Sequence, residues 1–441
     1  MTAQQQEERR GTASPAPMWK FFVYSLVGAF AFFVPFKVGG ESSILLDHIV
    51  TFIEDHATPV LPYYALAVIV AGAAYPFVSG TWKRSPVDVT FSLLKVLGMA
   101  VGFMLVFDLG PGWLFKPDMG PFLFDALVIP VGLLVPIGAV FLALLVGYGL
   151  LEYVGVLVQP IMRPVWRTPG RSAIDAVASF VGSYSLALLI TNRVYREGKY
   201  SSREAAIIAT GFSTVSATFM IVVATTLDLM GSWNAYFWVT LVVTFLVTAV
   251  TVRVWPLSRL EDDYYAGATP QPEHDAAGRR FSQAWEDARE TVSTAPSLAR
   301  NVATNFRDGL LMAMAILPSI LSIGLIGLVL ATYTPVFDIL GYVFYPVTWV
   351  MQVGEPMLVA KASALGIAEM FLPALLVTES AAAVKFIVAV VSVSQIIFFS
   401  AMVPCIVATE IPISIWKMVV IWAQRVVLTL ILVTPVAYLL F

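Results

Sequence analysis

An apolar stretch near the C-terminus carries three side chains that could do chemistry. The stretch Glu355–Glu379 has the composition of a membrane segment, but Lys361, Ser363 and Glu369 interrupt its middle. A charge at the centre of a spanning helix costs about 2.5–3.5 kcal/mol on insertion scales, so a buried glutamate needs a partner or a task. For Glu369 we consider two roles: a structural ion pair with Lys361, or binding of a substrate, a cation or a proton.

A second stretch, residues 171–191, has the same interrupted character and lies in the first half of the chain. Its centre, Gly182 to Ser185, has residue types that form sharp turns. In the stretch Glu355–Glu379, Gly366 and Pro373 would break a straight helix. Non-helical backbone at membrane depth is tolerated only where protein or a water-filled cavity surrounds it. Paired interrupted segments therefore point to a transporter's binding site.

Small polar side chains accompany both stretches. Hydroxyls and amides both donate and accept hydrogen bonds, which suits a sugar or a base. The alternative for each serine or threonine is packing between membrane helices, with its hydroxyl bonded to a backbone carbonyl. The predicted binding residues are Ser183, Tyr184, Ser185, Asn192, Ser213, Thr214, Ser216, Ser363, Glu369, Ser392, Ser394 and Gln395.

Two further expectations concern ions and charged groups near residues 171–191. If a sodium ion binds, we expect it near Ser183, Ser213 and Thr214, whose oxygens could coordinate it. We expect Asp175 to be solvated at the start of its segment, or paired with Arg171.

The composition is that of an integral membrane protein. The chain has 441 residues, 59% hydrophobic and 12% charged, whereas a soluble domain has about 25% charged residues. Repeated apolar runs of about 20 residues predict helices rather than a β-barrel. The net charge of −3 indicates no nucleic-acid partner, and a single cysteine, Cys405, excludes an internal disulfide.

Enzyme signatures are missing from the sequence. It has no H-E-x-x-H, no G-x-S-x-G and no P-loop motif. We therefore predict that the protein is not an enzyme. We expect no cofactor apart from Na⁺ or H⁺ as a coupling ion, since an ion gradient is the simplest energy source without an ATPase subunit.

We predict an all-α polytopic membrane protein with about nine transmembrane helices and two re-entrant helical hairpins. Basic residues lie on both sides of 171–191, and a hairpin that enters and leaves from the cytoplasm keeps both clusters inside. The same rule places the N-terminus in the cytoplasm and sets Lys417 and Arg425 beside the last cytoplasmic turn. The predicted spans are near 19–38, 59–78, 87–107, 127–158, 205–227, 236–256, 309–331, 382–403 and 415–440.

The chain divides into two halves of similar design. Each half has a span, a short interfacial segment, a hairpin and two more spans. If one hairpin enters from inside and the other from outside, the halves form an inverted-topology repeat, the basis of alternating access. The predicted units are a disordered cytoplasmic tail (1–17), scaffold helices (18–126), the first repeat with its hairpin at 171–191 (127–256), a cytoplasmic insert with an amphipathic helix (257–307), and the second repeat with its hairpin at 355–379 (308–441).

Parts of both halves resemble a known family. Gly366 to Val377, with Tyr345-Pro346 and Ser392 to Gln395, resembles a nucleoside-recognition or Gate domain. Ser179 to Ser216 resembles the YjiH-like bacterial membrane proteins, and the resemblance covers roughly Leu127 to Phe441. More distantly, the chain is similar to the concentrative nucleoside transporters, which place two opposed hairpins against partly broken helices and form trimers.

The resemblance implies a function and a location. It implies a nucleoside or nucleobase as substrate, a site at the hairpin tips and the following helices, and a homo-oligomer in a bacterial or archaeal inner membrane. We predict a secondary active transporter of a small polar solute, working by alternating access coupled to Na⁺ or H⁺, with solute and lipid as partners and no nucleic acid. Two alternatives stay open: a non-transporting membrane partner or regulatory subunit, with its polar cavity closed or filled by side chains, and a channel.

Overall fold

Helices make up nearly all of the regular structure. The computed structural model describes residues 17–34, 36–38, 41–83, 86–181, 184–273 and 280–441. The helices are α1 Trp19–Phe33, α2 Leu45–Ala57, α3 Leu61–Val78, α4 Pro86–Val106, α5 Gly120–Val146, α6 Leu150–Trp166, α7 Ser172–Val181, α8 Tyr184–Arg196, α9 Ser202–Gly211, α10 Ala217–Thr226, α11 Trp233–Thr251, α12 Arg280–Thr294, α13 Leu298–Tyr333, α14 Val336–Val350, α15 Pro356–Leu365, α16 Leu372–Leu376, α17 Ala382–Ser394, α18 Met402–Val407 and α19 Ile415–Leu440. Strands β1 Phe36–Val38 and β2 Glu41–Ser43 pair antiparallel.

Long apolar helices make this chain a multi-pass membrane protein. In the part of the chain that the structure describes, six helices are long and apolar enough to cross a membrane: α3, α4, α5, α11, α13 and α19. The predicted span 19–38 contains only the 15-residue α1 and strand β1. The count of nine crossings therefore stays a prediction. Helix α2 and the strand pair were not predicted from the sequence.

Two predicted spans are not continuous helices. The span expected at 205–227 consists of α9 and α10, separated by a break at 212–216. The span expected at 382–403 consists of α17 and the start of α18, separated by a break at 395–401. In the first break the Ser216 hydroxyl caps α10 by accepting from the Phe219 N–H (3.2 Å), a bond that competes with continuation of a helix.

Both breaks contain a tight three-residue turn. The Thr214 N–H donates to the Phe212 carbonyl (2.8 Å), and the Ile397 N–H donates to the Gln395 carbonyl (2.7 Å). In the second turn Ile396 has a φ of 62°, the left-handed region that a β-branched residue rarely adopts. Strained backbone of this kind persists only where surrounding contacts hold it, and it clusters at functional sites.

The order of elements is the same in the two halves. The first half has a long helix (α5), a shorter helix (α6), a helical pair (α7–α8), a broken helix (α9–α10) and a long helix (α11). The second half repeats this order with α13, α14, α15–α16, α17–α18 and α19. The arms of the pairs have 10 and 13 residues in the first half and 10 and 5 in the second. A bilayer crossing takes about 20 residues, so no single arm is long enough.

The span predicted at 127–158 also divides. Helix α5 ends at Val146 and α6 begins at Leu150. The intervening Gly149 has a φ of 93°, and a Cβ there would lie 2.7 Å from the Ala288 carbonyl oxygen. Only glycine fits this turn, because it must adopt positive φ against the backbone of another helix.

The amphipathic helix predicted in the insert is present as α12, and part of its apolar face is covered by protein while Phe281 stays exposed. Ala284, Ala288 and Val292 are buried, and α12 packs against α6 and α1. The Trp285 ring contacts Phe21 of α1 at a centroid distance of 5.7 Å. Helix α12 is therefore packed onto the rest of the protein through its small apolar residues.

Helix α13 lies at the centre of the packing between scaffold and repeats. Pro318 has no N–H, so the Met314 carbonyl lacks its usual helical donor. A Cβ on Gly72 of α3 would lie 1.8 Å from that oxygen, and one on Gly98 of α4 would lie 1.9 Å from the Pro318 oxygen. Both glycines thus let scaffold helices approach the α13 backbone directly, as small residues do in membrane bundles.

Candidate functional site

The second helical pair packs against the second break. We call this region the second junction: α15, α16, their connection at 366–371, and the break at 395–401. The Phe399 N–H donates to the Ile367 carbonyl (2.6 Å) and the Ser400 N–H to the Ala368 carbonyl (2.9 Å). Two irregular segments therefore satisfy part of each other's backbone, which low-dielectric surroundings require.

Glu369 lies in the connection of the second junction and is 2% exposed. Its Oε2 accepts from the N–H groups of Phe371 (2.6 Å) and Leu372 (3.0 Å), at the start of α16. Lys361 instead pairs with Asp338, at 2.5 Å between Nζ and Oδ1. The structural ion pair considered for Glu369 and Lys361 is therefore wrong, and backbone amides hold the carboxylate.

Gln395 fixes the break against the connection. Its Oε1 accepts from the Trp422 Nε1–H (2.9 Å) and its Nε2 donates to the Ser392 carbonyl (3.2 Å). A Cβ on Gly366 would lie 2.3 Å from that Oε1. The predicted binding residue Gln395 thus fills the space beside Gly366, with both ends of its amide already bonded.

Three buried hydroxyls in or beside the second junction have no hydrogen-bond partner among the described residues. They belong to Ser363 of α15, Ser392 of α17 and Ser400 of the break. Ser394 differs, because its Oγ lies 2.8 Å from the Thr429 Oγ1. Buried polar groups are nearly always paired, so each unpaired hydroxyl calls for an explanation. Ser400 was not predicted, although it is a polar residue in an apolar run.

The corresponding first junction consists of α7, α8 and the break at 212–216. The Ser179 hydroxyl donates to the Thr214 carbonyl (2.5 Å). The hydroxyls of Ser213 and Thr214 donate to the carbonyls of Ile208 (3.4 Å) and Val215 (3.3 Å). These bonds match the packing alternative for the predicted residues of this break. Ser183, predicted for substrate and sodium, lies outside the described residues, as does the predicted tail apart from Pro17.

The expectation for Asp175 is wrong. Its side chain is fully buried, and its two oxygens accept from the Thr191 hydroxyl (2.6 Å) and the Tyr200 hydroxyl (2.7 Å). Arg171 lies instead near Glu273, at 3.9 Å between Nε and Oε1. Asp175 therefore joins both arms of the first helical pair to the loop that follows, close to the open end of the pair.

The two junctions meet through aromatic rings. Tyr184, the first residue of α8, contacts Phe398 of the second break edge to face, with centroids 5.8 Å apart. Phe371 of the second connection contacts Phe219 of α10 at 6.1 Å. Tyr184 and the neighbouring Ser185 are both buried. Predicted residues from both halves are thus brought together.

Asn192 lies apart from this meeting point. It is eight residues beyond Tyr184, about 12 Å along the helix at 1.5 Å per residue. Its Oδ1 accepts from the Glu410 N–H (2.9 Å). It lines a cavity of about 560 Å³ whose charged residues are Lys95, Arg193, Arg196, Arg307, Asp308 and Glu410. The predicted site therefore divides into a junction group and a residue in a basic vestibule.

The sequence reasoning placed Arg425 beside a cytoplasmic turn, and this is also wrong. Arg425 is 0% exposed in the middle of α19. Its Nε donates to the Ser394 carbonyl (2.8 Å), its Nη1 to the Thr248 hydroxyl (2.9 Å) and its Nη2 to the Thr244 carbonyl (3.4 Å). Among the described residues, no carboxylate oxygen lies within 4.0 Å of a guanidinium nitrogen of Arg425, the distance limit for an ion pair. A charge this deep in an apolar run was the available signal.

Comparisons with known proteins give one family. The model of the Gate family, described as nucleoside recognition, matches residues 128–230. This match lies in the first half of the chain, whereas the residues that resemble a Gate domain in the sequence, Gly366 to Val377, lie in the second half. The chain is 30% identical over 452 aligned residues to an uncharacterized protein of Alkalihalophilus pseudofirmus, with 98% of this chain and 97% of the relative covered. No solved structure matches.

Proposed function

Because this chain belongs to the Gate family of nucleoside-recognition membrane proteins, we propose that it is a secondary active transporter of a small polar solute, with a nucleoside or nucleobase as first candidate. One observation carries the proposal. Ser363, Ser392 and Ser400 are buried without partners beside irregular backbone. A ligand rich in donors and acceptors would complete their hydrogen bonds, as a sugar or a base can.

In this proposal the substrate binds where the two junctions meet. The halves have opposite orientation, the helical pairs are re-entrant, and their tips face each other near the midplane. The vestibule lined by Asn192 and Lys95 is the cytoplasmic approach to the site, because its arginines favour the inner side of the membrane. Alternating access then consists of rocking one repeat against the other around a fixed site.

Coupling uses Na⁺ or H⁺, and Glu369 is the residue that would take up the ion. Its carboxylate is held by the amides of Phe371 and Leu372. Protonation or cation binding would weaken or redirect these bonds, since charge-assisted hydrogen bonds are the stronger kind. An ion at Glu369 would therefore change the geometry of the second connection.

A thermal-shift panel tests the proposed substrate class. Purified protein is heated with nucleosides, nucleobases, amino acids and dipeptides, in NaCl and in choline chloride. A ligand at 100 times its Kd adds about 2.7 kcal/mol to stability. We expect a shift with nucleosides or nucleobases. A shift with another class alone would keep the architecture and reject this substrate.

Matched serine variants connect such a shift to the site. Ser392→Ala removes an unpartnered hydroxyl, so it should leave the stability of the free protein unchanged and abolish the ligand shift. Ser394→Ala removes a hydroxyl bonded to Thr429, so it should cost about 0.5–1.5 kcal/mol and keep the shift. Equal effects of the two variants on the ligand shift would contradict a site at Ser392.

A non-transporting membrane partner is the second candidate. The observation that favours it is the Gln395 side chain, which fills the space beside Gly366. This candidate predicts that no ligand of the panel shifts the Tm of the wild type, whereas a ligand does shift the Tm of Gln395→Ala. That result would support the non-transporting partner and contradict the transporter.

A further inference from the structure

Arg425 lies between the carboxyl ends of two half-helices. Ser394 is the last residue of α17, and its carbonyl accepts from the Arg425 Nε. Gly211 is the last residue of α9, and its carbonyl lies 2.8 Å from the Thr248 hydroxyl, which accepts from the Arg425 Nη1. The guanidinium therefore connects the first part of each broken helix, directly in one half and through one threonine in the other.

This position has the electrostatics of a cation site. The last carbonyls of a helix carry a partial negative charge. In transporters with discontinuous helices, such carboxyl ends and unwound carbonyls coordinate the coupling cation. Here the helix-end carbonyl of Ser394, the Thr244 carbonyl and the Thr248 hydroxyl accept from a side-chain cation, and the helix-end carbonyl of Gly211 is joined to it through Thr248. In the described chain no carboxylate competes for it within ion-pair distance.

We propose that Arg425 is a tethered cation that takes the place of a bound sodium ion between the two broken helices. The carboxyl end of α9 then needs no sodium ion, and the fixed charge nearby repels one from Ser213 and Thr214. The position of Arg425 between the two broken helices does not depend on the proposed function. The consequence for transport does rest on that function: the coupling ion would be H⁺, or the protein would exchange solutes without a coupling ion.

The first test uses the wild-type protein and NaCl as the probe. Thermal denaturation is followed in NaCl and in choline chloride at equal ionic strength. We expect no saturable difference in Tm between the two salts. A saturable stabilisation by Na⁺ that Ser213→Ala or Thr214→Ala abolishes would place a sodium ion at the first break and overturn the proposal.

The second test removes the tethered charge. Arg425→Ala should lower Tm and should then gain saturable stabilisation from a small cation, with methylguanidinium chloride as the probe and choline chloride as the reference. The matched control is Arg253→Ala, because Arg253 also donates to carbonyls, those of Pro164 and Val165, but is exposed. The control should show no such gain. An equal response of both variants would overturn the proposal.

If Arg425→Ala does not fold, a third variant still tests the proposal. Arg425→Lys retains the charge and loses the planar fork, so it should fold with a lower Tm and remain indifferent to Na⁺. A lysine variant that becomes Na⁺-dependent would overturn the proposal. Cation rescue of Arg425→Ala without uptake of any solute would leave this inference standing and reject the proposed function instead.

Discussion

The two junctions have the same order of elements, but their buried carboxylates lie at opposite ends of the two helical pairs. In the first, Asp175 fastens the open end of the pair through Thr191 and Tyr200. In the second, Glu369 lies in the connection between the arms and is held by backbone amides. Each helical pair therefore has a buried carboxylate, but only the second pair places it where the two halves meet.

This difference separates a structural acid from a candidate for function. Both oxygens of Asp175 are bonded to side-chain hydroxyls of other elements, an arrangement that a helical pair needs to stay closed. The Glu369 carboxylate accepts only from backbone N–H groups of its own helical pair in the hydrogen bonds described, and one of these residues, Phe371, contacts Phe219 of the other half. The second junction also contains the strained Ile396, and the unpartnered Ser363, Ser392 and Ser400 lie in or beside it. We therefore assign a structural role to the first junction and recognition of the substrate to the second.

The largest expected effect breaks the first junction. Asp175→Ala leaves the Tyr200 hydroxyl buried without its acceptor and the Thr191 hydroxyl with only the Ala187 carbonyl, so the free energy of unfolding should fall by about 2–4 kcal/mol. Asp175→Asn keeps an acceptor and should cost less than half as much. Thermal denaturation in detergent measures both. An alanine variant as stable as the wild type would show that this carboxylate does not hold the pair.

A smaller effect loosens the second junction by overpacking it. Gly366→Ala puts a Cβ into the Gln395 amide and should cost about 1–3 kcal/mol of unfolding free energy. The double variant with Gln395→Ala should recover part of this loss, because the two sites are in contact. Gly231→Ala is the matched control, since no atom lies within 4 Å of its added Cβ. Additive losses in the double variant would contradict the contact.

The smallest effect on stability is expected for Glu369→Gln, which sharpens the contrast between the two acids. The glutamine oxygen can still accept from the Phe371 and Leu372 N–H groups, so the loss should be about 0.3–1 kcal/mol, that of a charge at a helix N-terminus. Its effect on function should be large, with ion dependence of uptake lost. Uptake in proteoliposomes with and without an imposed gradient measures this. Unchanged uptake with unchanged ion dependence would remove Glu369 from coupling.

Much of the element order followed from the sequence. Interrupted apolar composition predicted a helical pair at each of 171–191 and 355–379, and the structure has α7–α8 and α15–α16 there. The second break was not predictable from local signals, because residues 395–401 contain neither glycine nor proline. This break depends on backbone hydrogen bonds from Phe399 and Ser400 to a connection about 30 residues earlier, a long-range contact that overrides local preference.

The buried charges were visible but wrongly placed. Lys361, Asp175 and Arg425 were each assigned from their distance along the chain to a turn or to another charge. Their partners are Asp338, two hydroxyls, and a set of carbonyls with one hydroxyl. Choosing among such partners requires the packing of helices from both halves, which residue spacing in one sequence does not determine.

The most direct test of the central claim is counterflow in proteoliposomes. Vesicles are loaded with the unlabelled nucleoside or nucleobase that gives the largest thermal shift, and the labelled compound is added outside. The account predicts transient, saturable accumulation of label by the wild type and by Ser394→Ala, and its loss in Ser392→Ala. Binding without any accumulation by the wild type would contradict transport, and uptake that rises linearly without saturation would indicate a channel.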